Sequence, residues 1–336
     1  MSSLRTYIVG RALLTIPMVW VLVTVVFLIL RVMPGDPCLA ILREAATKTQ
    51  LESCRRGLGI DKPIAVQYVN YLSGLVQGDL GTSLTRRRAV SLEIADRFPA
   101  TFELAIAATI VMVGVGVSTG ALAAKKRKSR TDYGLRVWSI VIYAMPIFWF
   151  GLILQYVFAL KLGLLPTYGR VATEMAPKAV TGFYVLDSIL TLNGPSLGSS
   201  LEHLILPALT LGLILSGMFT RLTRANMLDI LRQDFITSGR ARGIPENTLV
   251  YGHALKNAFI PILTLMGLEF AILLAGAILT EHTFSWPGMG RLLVERIYDR
   301  DFATVQGVVT LFAVIVAVVS LVVDVAYAYI DPRIRY

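Results

Sequence analysis

Residues 234–261, DFITSGRARGIPENTLVYGHALKNAFIP, decide how the rest of this chain is read. The segment is polar and has helical spacing, yet it lies between two apolar runs long enough to cross a bilayer. A connection that only joined two spans would be short and rich in turn residues. The pattern predicts two short helices broken at Gly243, since glycine readily takes the left-handed conformation that ends a helix. Ser238, Gly239, Arg240, Ala241, Arg242 and Gly243 set small residues beside cations. The small residues allow a partner surface to come close, and Arg240 and Arg242 can pair with acidic groups on it. Such a surface at a membrane face gives another protein something to push. The alternative reading is a self-contained hairpin with no partner.

The chain has 336 residues, of which 55% are hydrophobic. Its apolar residues do not come in the short periodic runs of a soluble core. They come in runs of about 20, the length an α-helix needs to span a bilayer. Six are present, at roughly 8–30, 100–124, 137–160, 204–220, 258–280 and 305–330. In lipid the backbone must satisfy its own hydrogen bonds, so the expected fold is an all-α polytopic membrane protein with six transmembrane helices. Pro146 falls inside the third run and predicts a kink; Pro207 sits near the start of the fourth, where a missing N–H is tolerated. The first run has a basic lead like a signal peptide. It is too long for an ordinary signal core and no small-x-small cleavage site follows, so an uncleaved helix is expected.

Basic residues give the orientation. Lys125, Lys126, Arg127, Lys128 and Arg130 follow the second run; Arg221, Arg224, Arg232, Arg240, Arg242 and Lys256 follow the fourth. Arg5 and Arg11 lead the first run, and Arg333 and Arg335 close the chain. With six spans these all fall on one side, which the positive-inside rule makes cytoplasmic, with both termini there. Three parts then follow: 1–31 with the first helix, an extracellular insertion at 32–98, and a core at 99–336 that holds the cytoplasmic segment 221–261. Arg86, Arg87 and Arg88 lie in the insertion, which long loops permit. The net charge of +10 is thereby mostly topogenic. The basic residues are split among membrane-edge loops and not gathered with aromatics on one face, so no nucleic-acid partner is expected.

Cys38 and Cys54, with fifteen residues between them, both fall in the insertion. A metal site would need more ligands than these, and His203, His253 and His282 are far away in sequence. A disulfide is the favoured reading, two unpaired small residues the alternative. The stretch GDLGTS at 78–83 reads as a turn, and 168–199 as a second outer connection rich in Gly, Pro, Ser and Thr. Glu269 sits near the middle of the fifth run. A carboxylate there costs on the order of 2.5–3.5 kcal/mol on insertion scales, so it should face the bundle interior or a wet cavity. It either meets a cationic or hydroxyl-rich cargo or holds two helices together. No Gly-Lys dipeptide occurs, so the chain has no P-loop of its own, and no acid/base pair or metal cluster suggests other catalysis.

The motifs, taken in order, resemble those of permease subunits of binding-protein-dependent ABC importers, in the dipeptide/oligopeptide/nickel subfamily. RVMPGDP at 31–37 resembles the exit from the first helix; QY at 67–68 and GDLGTS at 78–83 the outer loop; FPATFEL at 98–104 the entry to the second helix. PIFW at 146–149, GRARG at 239–243 with HALKN at 253–257 and Pro261, EHTFSWPGMG at 281–290, RD at 300–301 and DPR at 331–333 complete the series. The resemblance runs nearly end to end. It implies the type I importer permease fold in a prokaryotic cytoplasmic membrane. It also implies a homologous second permease subunit, two cytoplasmic ATPases that bind ATP and Mg, and an extracellular solute-binding protein. The chain itself would need no cofactor. Residues 239–243 would form the ATPase-coupling motif, with Pro245 where the family often has a serine cap. The insertion, with Arg86, Arg87 and Arg88, would touch the binding protein or only pack on its own helices. Oligopeptides or dipeptides are the default cargo, with oligosaccharides or nickel as alternatives. An ATP-independent secondary transporter is the rival class, which the coupling motif argues against.

Overall fold

The computed structural model describes residues 4–32, 38–39 and 47–330. The 33–37 part of the first motif, the DPR motif at 331–333, and Arg335 lie outside the described residues. Among the described residues the structure is helical, with a single isolated antiparallel bridge between Thr82 and Ala89.

Five helices are long and apolar enough to cross a membrane: Val9–Val32, Val90–Lys125, Gly194–Ile230, Thr248–Leu274 and Phe302–Ala326. A sixth crossing exists only if the bent pair Arg130–Ala144 and Ile147–Lys161 counts as one span. We number the helices α1 (Leu4–Val32), α2 (Lys48–Leu58), α3 (Ile64–Val76), α4 (Val90–Lys125), α5 (Arg130–Ala144), α6 (Ile147–Leu154), α7 (Tyr184–Leu190), α8 (Gly194–Ile230), α9 (Asp234–Ala241), α10 (Leu255–Leu274), α11 (Ile278–Thr283), α12 (Met289–Tyr298) and α13 (Phe302–Ile330).

The third apolar run is where sequence and structure differ most. Instead of one kinked helix it forms α5 and α6, bent by 103°. The break falls at Met145–Pro146: Pro146 cannot donate to the helix ladder and forces the residue before it into extended backbone, ψ 136° at Met145. The second run extends outward to Val90, well before Ala100. Hydropathy hides those extra turns because they carry Glu93, Asp96 and Arg97. Glu93 is accommodated there by a buried ion pair with Arg296 of α12, Nε to Oε2 3.1 Å. The fifth run ends at Leu274, where Gly276 (φ 104°) turns the chain into α11.

α4 and α8 form the centre. Small residues let their backbones approach, as expected where lipid gives no hydrophobic drive for helices to associate. Gly120 is closed over by Thr220 and Thr223, and Gly212 by Ala108 and Val111. α1 and α13 pack together at the edge, where Leu13, Leu14 and Trp20 remain exposed.

The insertion is built on that edge. Thr47 caps α2 in a reciprocal box with Gln50, and Gly59 (φ 65°) ends it. A disulfide joins Cys38 to Cys54, with Cα atoms 5.9 Å apart. Phe27 of α1 packs against the rings of Tyr68 and Tyr71 of α3. The Tyr71 hydroxyl is 2.6 Å from that of Thr310 on α13. GDLGTS is a turn, with positive φ at Gly78 and Gly81 and the Gly81 amide donating to Asp79 Oδ1 at 2.8 Å.

Candidate functional site

The segment 234–261 folds as two helical pieces around Gly243. That glycine has φ 75°. Its amide donates to the Arg240 carbonyl at 3.0 Å, and the Ile244 amide to the Gly239 carbonyl at 3.1 Å. This is a Schellman ending, which needs a residue that tolerates the left-handed region. Pro245 then stands just ahead of the next helical turn, and its carbonyl accepts from the amides of Thr248 (2.9 Å) and Leu249 (3.1 Å).

Small residues and cations in this segment divide by face. Ile236 and Gly239 point inward with Leu249, Val250 and Ala254 and pack on Ala121, Ala124 and Met227. Gly239 is therefore small because Leu249 covers it, not because an outside surface must reach it. Arg240 donates through Nε (3.0 Å) and Nη2 (2.7 Å) to the two oxygens of Glu246 in its own chain. The pair holds Arg240 above the usual guanidinium value and Glu246 below the usual carboxylate range; in each case the mutual hydrogen bond outweighs burial. Ala241, Arg242 and Gly243 are exposed, and the Arg242 side chain pairs with nothing among the described residues. Phe235, 43% exposed, belongs to the same outer face. The sequence carried that signal: Ile236 and Gly239 repeat at three-residue spacing inward, while Phe235, Ser238 and Arg242 repeat outward.

Two of the quoted motifs converge near the N-terminal end of α4. The Trp286 indole donates to the Ala100 carbonyl at 2.8 Å. Thr101 donates to Glu281 Oε1 at 2.7 Å, and the Arg291 amide donates to Glu281 Oε2 at 2.9 Å. Gly288 leaves room for that carboxylate; a Cβ there would overlap it. Beside them Glu103 takes two hydrogen bonds from Arg170, 2.6 and 3.0 Å, and a third from the Val185 amide at 2.8 Å. Arg170 also lies 3.8 Å over the Tyr184 ring. These buried groups pin α11, α12 and the 168–193 connection onto α4. Neither was visible in sequence, because the partners on the other side of each contact, Thr101 for Glu281 and Arg170 for Glu103, are more than sixty residues away.

Asp301, ahead of α13, accepts hydrogen bonds from the hydroxyls of Ser83 (2.6 Å) and Thr85 (3.0 Å). It thereby joins the turn after GDLGTS to the last helix, and Arg300 beside it is in turn conformation, φ 53°. Of the arginine triple, Arg88 pairs with Asp96 at 2.5 Å, while Arg86 and Arg87 have no ion pair among the described residues. Glu269 is half-buried on α10, and nothing among the described residues hydrogen-bonds to it. It lies eight residues beyond Pro261, further along the helix in which the 234–261 segment ends.

Comparison with known proteins matches this arrangement over its whole length. The family described as "Binding-protein-dependent transport system inner membrane component" matches residues 116–336. Its companion, "Binding-prot-dependent transport system membrane comp, N-term", matches residues 4–105. The di/tripeptide transport system permease protein DppB of Pseudomonas aeruginosa is 41% identical over 333 residues, 98% of this chain and 99% of that one. The dipeptide transport system permease protein DppB of Escherichia coli is 37% identical over 334 residues, 98% of each. The oligopeptide transport system permease protein AppB of Bacillus subtilis is 36% identical over 334 residues, 99% of this chain and all of that one. The chain belongs to the family of binding-protein-dependent transport system inner membrane components.

Proposed function

We propose that this chain is the permease subunit of an ATP-driven ABC importer and forms half of the translocation pathway for dipeptides and oligopeptides. The observation that carries this reading is the end-to-end similarity to permeases named for di-, tri- and oligopeptide transport. If α5 and α6 count as one span, six crossings place the insertion opposite the coupling segment. The basic loops then make the coupling side and both termini cytoplasmic.

A second, homologous permease subunit completes the pathway. Two ATPase subunits bind ATP and Mg and grip the outer face of α9, where Phe235, Ala241, Arg242 and Gly243 are exposed. Closure of the ATPases draws the two coupling segments together. The permease pair then alternates between inward-open and outward-open states. An extracellular solute-binding protein delivers cargo, and the insertion, in which Arg86 and Arg87 have no ion pair among the described residues, is the surface offered to it.

The test is uptake in proteoliposomes that hold the complete complex and the cognate binding protein. Labelled dialanine, cellobiose and nickel are compared with and without ATP. ATP-dependent uptake of the peptide is expected. Uptake that ignores ATP would return the chain to the secondary-transporter class, and preferred uptake of cellobiose or nickel would reassign the cargo.

A further inference from the structure

The insertion carries a half-open cavity of about 720 Å³, with polar groups on its walls, between the end of α1, the end of α2, α3, the 78–87 turn and the start of α13. That volume is in the range of small-molecule sites. Most small-molecule pockets are apolar with a few placed polar groups. This one carries Arg31, Gln67, Asn70, Asp79, Arg87 and Gln306 on its walls. A packing defect between helices would not collect two cations, an acid and three amides.

The second observation concerns unmet hydrogen bonds. Buried polar atoms are normally paired, and each exception asks for an explanation. Three orphans belong to residues on this one cavity: Arg31 Nε, Gln67 Oε1 and Gln306 Nε2. Gln306 is only 7% exposed. The other end of Gln67 is fully used, its Nε2 donating to the carbonyls of Ile60 (3.2 Å) and Lys62 (2.8 Å). The Arg31 guanidinium rests 5.0 Å over the Phe27 ring and has no ion pair among the described residues.

We infer that this cavity is a binding site for a zwitterionic short peptide, with the peptide carboxylate on Arg31 and the ammonium on Asp79. A guanidinium matches a planar carboxylate with two parallel hydrogen bonds. Arg87 adds a second positive charge to the cavity lining. Asp79 uses Oδ1 to hold the Gly81 amide at 2.8 Å, which leaves Oδ2 for a cation. The amides of Gln67, Asn70 and Gln306 offer donors and acceptors for a peptide bond between the two charged ends. A phosphate dianion fits worse, because Asp79 repels it. The ligand class rests on the peptide reading above; the cavity, its charges and its orphan atoms do not. Its role would be to hold peptide on the permease after the binding protein releases it.

The complete complex in nanodiscs, without binding protein, tests this by equilibrium dialysis. Probes are labelled dialanine, its C-terminal amide, its N-acetyl form and glycerophosphoethanolamine. Dialanine is expected to bind. Loss of the carboxylate, or Arg31→Gln, should weaken binding roughly tenfold or more, the scale of a lost charge-assisted hydrogen bond. Gln306→Leu and Asp79→Asn, which leave the α1 cation–π contact intact, should weaken it as well. Absence of dialanine binding, equal binding of dialanine and its amide, or equal binding by wild type and the Gln306 and Asp79 variants would overturn the site. Binding of glycerophosphoethanolamine alone would overturn it in favour of a lipid headgroup. Uptake in the proteoliposome assay is a separate readout. Peptide uptake without cavity binding sinks this inference and leaves the proposed function standing; cavity binding without uptake does the reverse.

Discussion

Leu249 closes directly over Gly239: a Cβ placed on residue 239 would meet Leu249 Cδ2 at 2.7 Å. The two halves of the 234–261 segment thus meet at a close contact that glycine admits without a shift. Gly239→Ala should overpack this joint and cost about 1–3 kcal/mol, softened because the obstacle is a flexible side-chain end. Thermal stability of the complex and binding-protein-stimulated ATP hydrolysis should both fall. Adding Leu249→Ala to Gly239→Ala should recover much of the loss. A Gly239→Ala complex with wild-type stability and coupling would show that the joint does not matter.

Arg240 and Glu246 form a half-exposed pair worth only about 0.2–1 kcal/mol. Because Arg240 holds the Glu246 carboxyl below its ordinary value, the pair's contribution is complete above that ordinary value, about 4.3, and fades as pH falls through the lower folded value. Coupling near neutral pH should not vary from this source. Reversing both charges, Arg240→Glu with Glu246→Arg, should keep coupling if the pair acts within the chain. Arg242→Glu should uncouple ATP hydrolysis from uptake, since Arg242 is exposed and has no ion pair among the described residues. Equal loss in the double reversal and in Arg242→Glu would mean that Arg240 also meets the ATPase.

How much of this was legible in the sequence follows from the range of the interactions. The apolar runs, the turn at Gly243 and the caps of α2 depend on residues a few positions apart, and the sequence displays them. The break at Pro146 was visible as a residue but not as an angle, since the bend depends on what α5 and α6 pack against. The cover that Leu249 gives Gly239 is not legible in sequence, because smallness looks the same whether a neighbour comes from inside or outside. Arg240 looked available because its partner lies across the helix break. Glu281, Glu103 and Asp301 act on residues 180, 67 and 218 positions away, beyond the reach of any local pattern.

Asp301 should make stability depend on acid. Burial pushes its carboxyl up, but hydrogen bonds from Ser83 and from the amides of Thr304, Leu84 and Thr85 outweigh it and hold the group below its ordinary value. A lowered carboxylate stabilises fully above its unfolded value, about 3.9, and the contribution is lost as pH falls through the lower folded value. Asp301→Asn removes the charge while keeping the shape, at about 1.5–3 kcal/mol for hydrogen bonds to a charged group. Wild type should melt well above Asp301→Asn at pH 7, and the gap should narrow below about pH 4. A gap that stays constant on acidification would deny Asp301 this role.

Glu269 stands on α10 with its neighbour Phe270 set edge-on to Phe102 and its neighbour Gly267 closed against Val323. Those contacts pack the helix without the carboxylate, which accepts no hydrogen bond among the described residues. A carboxylate so placed in a membrane helix is costly, and a structural role would need a partner in the same bundle. Two substitutions separate the pathway reading from the helix-contact reading. Glu269→Gln should leave the yield of assembled complex unchanged and lower uptake of a lysine-containing dipeptide roughly tenfold relative to dialanine, the scale of one charge-assisted contact. Glu269→Leu should also assemble. If Glu269→Gln imports both peptides normally while Glu269→Leu fails to assemble, the carboxyl holds helices together.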